Sequence, residues 1–224
     1  MIKVNEVEVL KMLEEQEYGQ LSQYIKDRML EQNTSPTEIR KKKAFAKLSK
    51  SVQKMYKDSK PVLAGAYELN DKLMLTDGFR GFVMNWKSSE IPELAKVEFD
   101  GELFKLDQLF QEKDRNEVIK IDTDKLKIQL AEYKAKLKMV KPEKGLTKEH
   151  KARNIKERYF AVESKSGFVA HFNIEFIQET HDIMDLNSSE ITLGKDCTQA
   201  LQIENEFGKC LVLPIRMRKE DEDV

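Results

Sequence analysis

Residues 35–57 read SPTEIRKKKAFAKLSKSVQKMYK, and their spacing sets the frame for the rest of the chain. Ser35 is the candidate N-cap, Pro36 the first helical residue, and Glu38 completes a Ser-x-x-Glu capping box. Basic residues follow at Arg40, Lys43, Lys47, Lys50, Lys54 and Lys57, in steps of three and four. Apolar residues at Phe45, Leu48, Val52 and Met55 step the same way. At 100° per residue the two rows lie roughly 150° apart, so one face packs and the other is a row of cations. Asp58 is the only acid between Arg40 and Lys60, against nine bases. A solvated face normally mixes signs, because like charges three or four apart repel. A stripe of one sign, about 33 Å long, suits a straight polyanion, and duplex DNA is the first candidate.

The whole chain hides this segregation. It has 224 residues, 40% apolar and 35% charged, with a net charge of only −1. Residues 40–60 carry net +8, and residues 125–158, with twelve bases and four acids, carry another +8. The remainder is therefore −17. An acidic body with two local basic tracts admits nucleic acid at one surface and repels it elsewhere. Eleven Phe, six Tyr and one Trp are enough for a real core. Cys197 and Cys210 show neither CxxC nor metal spacing and read as reduced intracellular thiols. No apolar run approaches ~18 residues, and Met1-Ile2-Lys3-Val4 lacks a signal-peptide core, so a cytoplasmic location is expected.

Further along, Ile2–Val4 reads as a short strand and Val7–Met29 as an amphipathic helix with an interruption at Gly19. After the striped helix, which should end near Ser59-Lys60-Pro61, the period changes to two. Val62–Leu69 and Lys72–Leu75 form a hairpin about Asn70-Asp71, and Phe79–Trp86 is a third strand. Residues 87–119 are weakly patterned and read as a connection. Val118–Ile121 is strand-like, and Thr123 caps a second helix whose core side is Leu126, Leu130, Tyr133 and Leu137. Residues 141–158 form a basic loop. A compact last section follows: strand Tyr159–Glu163, a turn at Lys165-Ser166-Gly167, strand Phe168–Phe172, helix Ile174–Met184, then strands Ile191–Leu193, Ala200–Glu204 and Cys210–Met217. The tail Glu220-Asp221-Glu222-Asp223 reads as disordered.

Leu73-Met74-Leu75-Thr76-Asp77-Gly78-Phe79-Arg80 resembles a strand–turn–strand of the bacterial β sliding clamp, the DNA polymerase III processivity factor. Phe172-Asn173 leading into a helix, a Ser-rich turn, and the closing Leu211-Val212-Leu213-Pro214-Ile215-Arg216-Met217 are similar to the last part of that clamp. The resemblance covers about two thirds of the chain, omits the clamp's first domain, and fits a phage-encoded relative. It implies an α+β, DNA-clamp-like fold with helices packed on antiparallel sheets. The expected divisions are a helical extension 1–35, a shortened clamp-like domain 36–115, a second such domain 116–217 and an acidic tail 218–224. It further implies a homo-oligomer that encircles or cradles duplex DNA without reading sequence and docks polymerase or other replication proteins. Lys127, Lys134 and Lys138 of the second helix would join the first stripe on the DNA side. A peptide groove would use Thr76, Gly78, Phe79 and Arg80 on one side and Leu211, Leu213, Pro214 and Ile215 on the other.

Plainer readings stand beside these. The basic rows also fit solvated faces, Thr76-Asp77-Gly78 also fits a simple turn, and Leu213 and Ile215 also fit the core of a last strand. A module that keeps the groove without encircling DNA is the rival from another class. A sequence-specific DNA binder is disfavoured, since the basic face has few side chains suited to base edges. Catalysis is not expected: His150, His171 and His181 are scattered, and no phosphate loop, HExxH or GxSxG occurs. No metal, cofactor or membrane partner is implied.

Overall fold

A computed structural model describes residues 5–14, 18–22, 24–25, 35–56, 64–91, 93–96, 105–110, 117–140, 155–194 and 198–215. Its helices are α1 (Glu6–Glu14), α2 (Pro36–Tyr56), α3 (Thr123–Met139) and α4 (Ile174–Met184). The strands are β1 (Ala64–Leu69), β2 (Lys72–Asp77), β3 (Arg80–Met84), β4 (Glu117–Ile119), β5 (Tyr159–Glu163), β6 (Val169–Asn173), β7 (Glu190–Leu193), β8 (Leu201–Asn205) and β9 (Gly208–Val212). The architecture is α+β. Seven strands form one antiparallel sheet in the order β1-β2-β3-β9-β8-β7-β4, and β5 and β6 form a separate hairpin.

The striped helix forms as its caps dictate. Ser35 Oγ accepts the Glu38 N–H at 3.1 Å, and Pro36, which lacks a donor, occupies the first turn where none is needed. The Glu38 carboxylate, expected to close the capping box, instead pairs with Lys42 at 2.8 Å. Phe45, Leu48 and Val52 are buried, and Phe45 meets Phe82 and Trp86 edge-on at centroid distances of 6.0 and 5.8 Å. The β1–β2 hairpin turns at Asn70 and Asp71, both at positive φ (52° and 59°), as a two-residue type I′ turn requires.

The sheet's two faces divide the core. Leu73, Leu75, Phe82, Met84, Ile191, Leu201, Ile203, Cys210 and Val212 point to one side, into a cluster shared with α2, α3 and α4. Tyr67, Met74, Val83 and Leu211 point to the other, where Leu106 and Phe110 cover them. These two belong to a 3₁₀ turn, Leu106–Phe110, inside the stretch expected to be only a connection. The fit is close: a Cβ on Gly81 would stand 2.7 Å from a Leu106 methyl. The β3–β9 pairing joins strands from residues 36–115 and 116–217 in one sheet, and the larger cluster draws on both segments.

Several boundaries differ from expectation. Asp122, not Thr123, caps α3, its carboxylate accepting the Asp124 and Lys125 N–H groups, while Thr123 Oγ1 donates to Asn187. Both residue types suit a cap, and the carboxylate is the stronger acceptor at the positive end of the helix. Gly19 lies within helical residues 18–22 and does not interrupt them. The last strand ends at Val212 rather than Met217, because Ile215 N donates instead to His171 O of β6 at 2.7 Å. The readings for Ile2–Val4, Lys57, most of the 141–158 loop, Cys197 and the acidic tail lie outside the described residues.

Phe45→Ala should cost about 3–5 kcal/mol in urea unfolding. Lys43→Ala, at an exposed position of the same helix, should stay within about 0.5 kcal/mol.

Candidate functional site

Burial divides α2 into two sets of cations. Arg40, Lys43, Lys47, Lys50 and Lys54 are exposed along one edge, while Lys41 and Lys42 turn inward. Lys42 lies between Glu38 and Glu90, at 2.8 and 2.9 Å, with its ammonium 5.9 Å from the Trp86 ring centroid. Burial alone would depress its pKa, but the hydrogen bonds it donates to both carboxylates raise it above its ordinary value. Lys41 sits 4.1 Å over the Phe207 ring. There burial prevails over the nearby acids and lowers its pKa. Acids remote in sequence thus partner some of the cations: Glu93 pairs with Lys50 at 2.5 Å. Arg40, Lys47 and Lys54 have no ion pair among the described residues. The outer row therefore keeps most of its single-sign character.

On α3 the lysines are arranged differently. Leu126, Leu130 and Tyr133 are buried, as the period requires. The residues diametrically opposite are not lysines but Ile128, Ala135 and Met139, all exposed. Lys127, Lys134 and Lys138 form a row on one flank of these, and Lys125 and Lys136 lie on the other. Lys127 pairs with Asp124 at 3.3 Å, and Lys136 with Glu157. The two basic helices share a neighbour, since Lys127 of α3 and Lys41 of α2 both bear on His181 of α4. The His181 ring accepts the Leu186 N–H through Nδ1 at 3.2 Å. Burial pushes its pKa below the ordinary 6.5, against the pull of Asp185 and Asp182.

The Thr76–Arg80 turn and the last strand do come together. Arg80 pairs with Val212 in register, and Leu213 N donates to Phe79 O at 2.9 Å. The side chains then split three ways. Thr76 and Leu211 are buried on the sheet face away from the helices, where Leu211 packs in the smaller cluster with Leu106 and Phe110. Arg80, expected at the groove, is only 5% exposed. Its Nε and Nη2 donate to Asp77 Oδ2 at 2.9 and 2.8 Å, and Nη1 donates to Glu179 at 2.6 Å. Its guanidinium stacks 4.2 Å from the Phe176 ring centroid. Burial opposes the charge, yet the Asp77 and Glu179 carboxylates outweigh it and raise the Arg80 pKa. Asp77 Oδ1 also accepts the Phe79 and Arg80 N–H groups, at 2.9 and 2.6 Å, and Gly78 takes φ +81°. The turn reading of this stretch is thus satisfied in full.

Phe79 and Leu213 are left facing solvent, 57% and 45% exposed, with Phe176 6.0 Å from Phe79 between ring centroids. Pro214 and Ile215 are half-buried beside them. Phe176 and Glu179 were not among the expected site residues; their positions three apart on a helix that follows the Asn173 cap were the only signal available. Cys210, also near this cluster, is fully buried, and burial pushes its thiol pKa up, which makes it a poor nucleophile.

Comparisons with protein-family models, with curated proteins and with solved structures return no match. No helix among the described residues is long and apolar enough to cross a membrane.

Asp77→Ala leaves the buried guanidinium with only the half-exposed Glu179 and should cost about 3–5 kcal/mol in chemical denaturation. Glu179→Gln, at a half-exposed partner, should cost under about 1 kcal/mol. His181 has a lower pKa folded than unfolded, so the unfolded chain takes up the proton first on acidification. Its contribution is intact above pH 6.5 and declines as pH falls toward the folded pKa. Thermal melts from pH 7.5 to 5 should show a shallower decline for His181→Gln than for the native chain.

Proposed function

We propose that the chain is a shortened, sliding-clamp-like processivity factor of the DNA polymerase III β kind. In this reading it cradles or encircles duplex DNA without reading sequence, acts as a homo-oligomer because one chain cannot surround a duplex, and docks a polymerase or another replication protein. The observation that carries it is the outer edge of α2. Five cations at helical spacing lie exposed there while the opposite face fills the core. Like charges held in a row on one rigid rod repel one another, so the arrangement is favoured when a polyanion neutralises it. The Lys127–Lys134–Lys138 flank of α3 adds a second row on the helical side of the sheet. Such contacts go to phosphates and position the protein without sequence readout.

The docking half of the proposal rests on Phe79 and Leu213, an exposed apolar step where β3 meets β9. Half-buried Pro214 and Ile215 follow Leu213 in the chain, and an exposed apolar step suits a short linear motif. This step needs no DNA, and it supports the second reading: a peptide-binding regulator of replication proteins that does not encircle a duplex. A cytoplasmic location suits either reading.

Replacing Lys43, Lys47, Lys50 and Lys54 together by Ala should flatten the slope of log K against log salt by up to ~3–4 units on duplex DNA. An unchanged slope removes the DNA-facing assignment. Retention on circular duplex with loss from linear duplex indicates encirclement, and equal retention on both indicates cradling. Leu213→Asp should abolish capture of a polymerase-derived clamp-binding peptide; capture at native affinity removes the groove.

A further inference from the structure

Ile91 and residues 93–96 are tied to α2. Ile91 is buried in the larger apolar cluster, and Leu94 packs against that cluster. The Ala95 N–H donates to the buried Ser49 Oγ at 3.1 Å, and Gln53 Nε2 donates to Lys96 O at 3.2 Å. Lys96 also forms a β-bridge with Ala66 of β1. At 100° per residue Ser49 and Gln53 share one side of α2, and Lys43 and Lys50 are the cations of the outer row nearest to it. Arg40, Lys47 and Lys54 lie further round. Within this tied segment Glu93 takes φ +70°, a conformation that L side chains rarely adopt. Its carboxylate meets Lys50 Nζ at 2.5 Å. The hydrogen bond from Lys50, and beyond it the charge of Lys43, hold the Glu93 carboxyl below its ordinary pKa.

Side chains as exposed as these, 52% for Lys50 and 75% for Glu93, gain little stability from pairing. Stability therefore gives no reason to hold a carboxylate there on a strained backbone, whereas a role at the cation row does. We propose that Glu93 is a built-in stand-in for a backbone phosphate: it occupies Lys50, withholds that cation from duplex DNA and limits how tightly the α2 row binds. A carboxylate oxygen and a phosphate oxygen accept the same charged N–H donor, so the two compete for Lys50. Because its backbone is fixed to α2, Glu93 meets the row at a high effective concentration, and it also repels a phosphate approaching Lys43. A protein that moves along a duplex needs phosphate contacts it can exchange. One fixed acid among the cations loosens the grip without dismantling the row. The inference rests on the DNA-binding part of the proposed function and names the residue that regulates it.

Salt titrations of duplex binding by the full chain test it. Glu93→Gln keeps the length of the side chain and should melt with the native chain, because both partners of the ion pair are exposed. It should steepen the slope of log K against log salt by about one unit, as one more phosphate is neutralised, and tighten binding about five- to tenfold at about 0.1 M salt. In a Lys50→Ala background the same substitution should leave the slope unchanged, because the cation it releases is gone. A slope that stays native on Glu93→Gln, or one that steepens equally without Lys50, overturns the inference and leaves the DNA reading standing. Duplex binding by Glu93→Gln but not by the native chain supports it outright. No binding by either chain overturns both.

Discussion

The hydrogen-bonded seam between β3 and β9 is the constraint on which the rest depends. It joins three strands from residues 64–84 to β9, which lies more than a hundred residues away in sequence. Closing so long a loop costs entropy, and the contacts at the seam offset it. Phe82 and Cys210 meet on the helical face, while Val83 and Leu211 face the 3₁₀ turn at Leu106–Phe110. Asp77 and Arg80 hold the entry to β3 by a buried ion pair whose spare donor reaches Glu179 on α4. Turn, sheet and helix are thereby fixed to one another at a single point, beside the exposed Phe79.

Once the seam is set, the helices have only one place to go. The apolar face of the sheet that α2, α3 and α4 cover is the larger one, and each helix turns its remaining surface to solvent. What those surfaces carry differs by helix. On α2 it is a row of cations. On α3 it is Ile128, Ala135 and Met139 with Asp124 and Glu132 among them, and lysines on both flanks, one of which carries the proposed DNA contact. The function proposed for this protein is therefore a matter of what each helix exposes, since the buried sides do the same work in all three.

Much of this was legible in the string. The period of residues 36–56 separated a packing face from a charged one, and burial of Phe45, Leu48 and Val52 follows it. Helix Ile174–Met184 and strand Tyr159–Glu163 fall where the pattern placed them. What escaped is what sequence distance conceals. Glu90 and Glu93 neutralise Lys42 and Lys50 from 48 and 43 residues away, so a local count of acids overstated the stripe. Leu106–Phe110 is too short to show a period, yet it closes the second cluster. The resemblance placed Arg80 at the groove, and nothing local reveals that Glu179 joins Asp77 in holding it inside. On α3 the lysines straddle Ile128, Ala135 and Met139, a placement that lysine spacing alone does not show.

In the proposed function, polyanion binds the helical side of this molecule and not the other. Lysine acylation followed by mass spectrometry, with and without a random-sequence duplex, reads this residue by residue. Lys43, Lys47, Lys54, Lys127, Lys134 and Lys138 should be protected, with Lys72 and Lys209, on the opposite face of the sheet, labelled equally in both samples. Protection of Lys72 and Lys209, or uniform labelling of α2 and α3 with DNA bound, would contradict it.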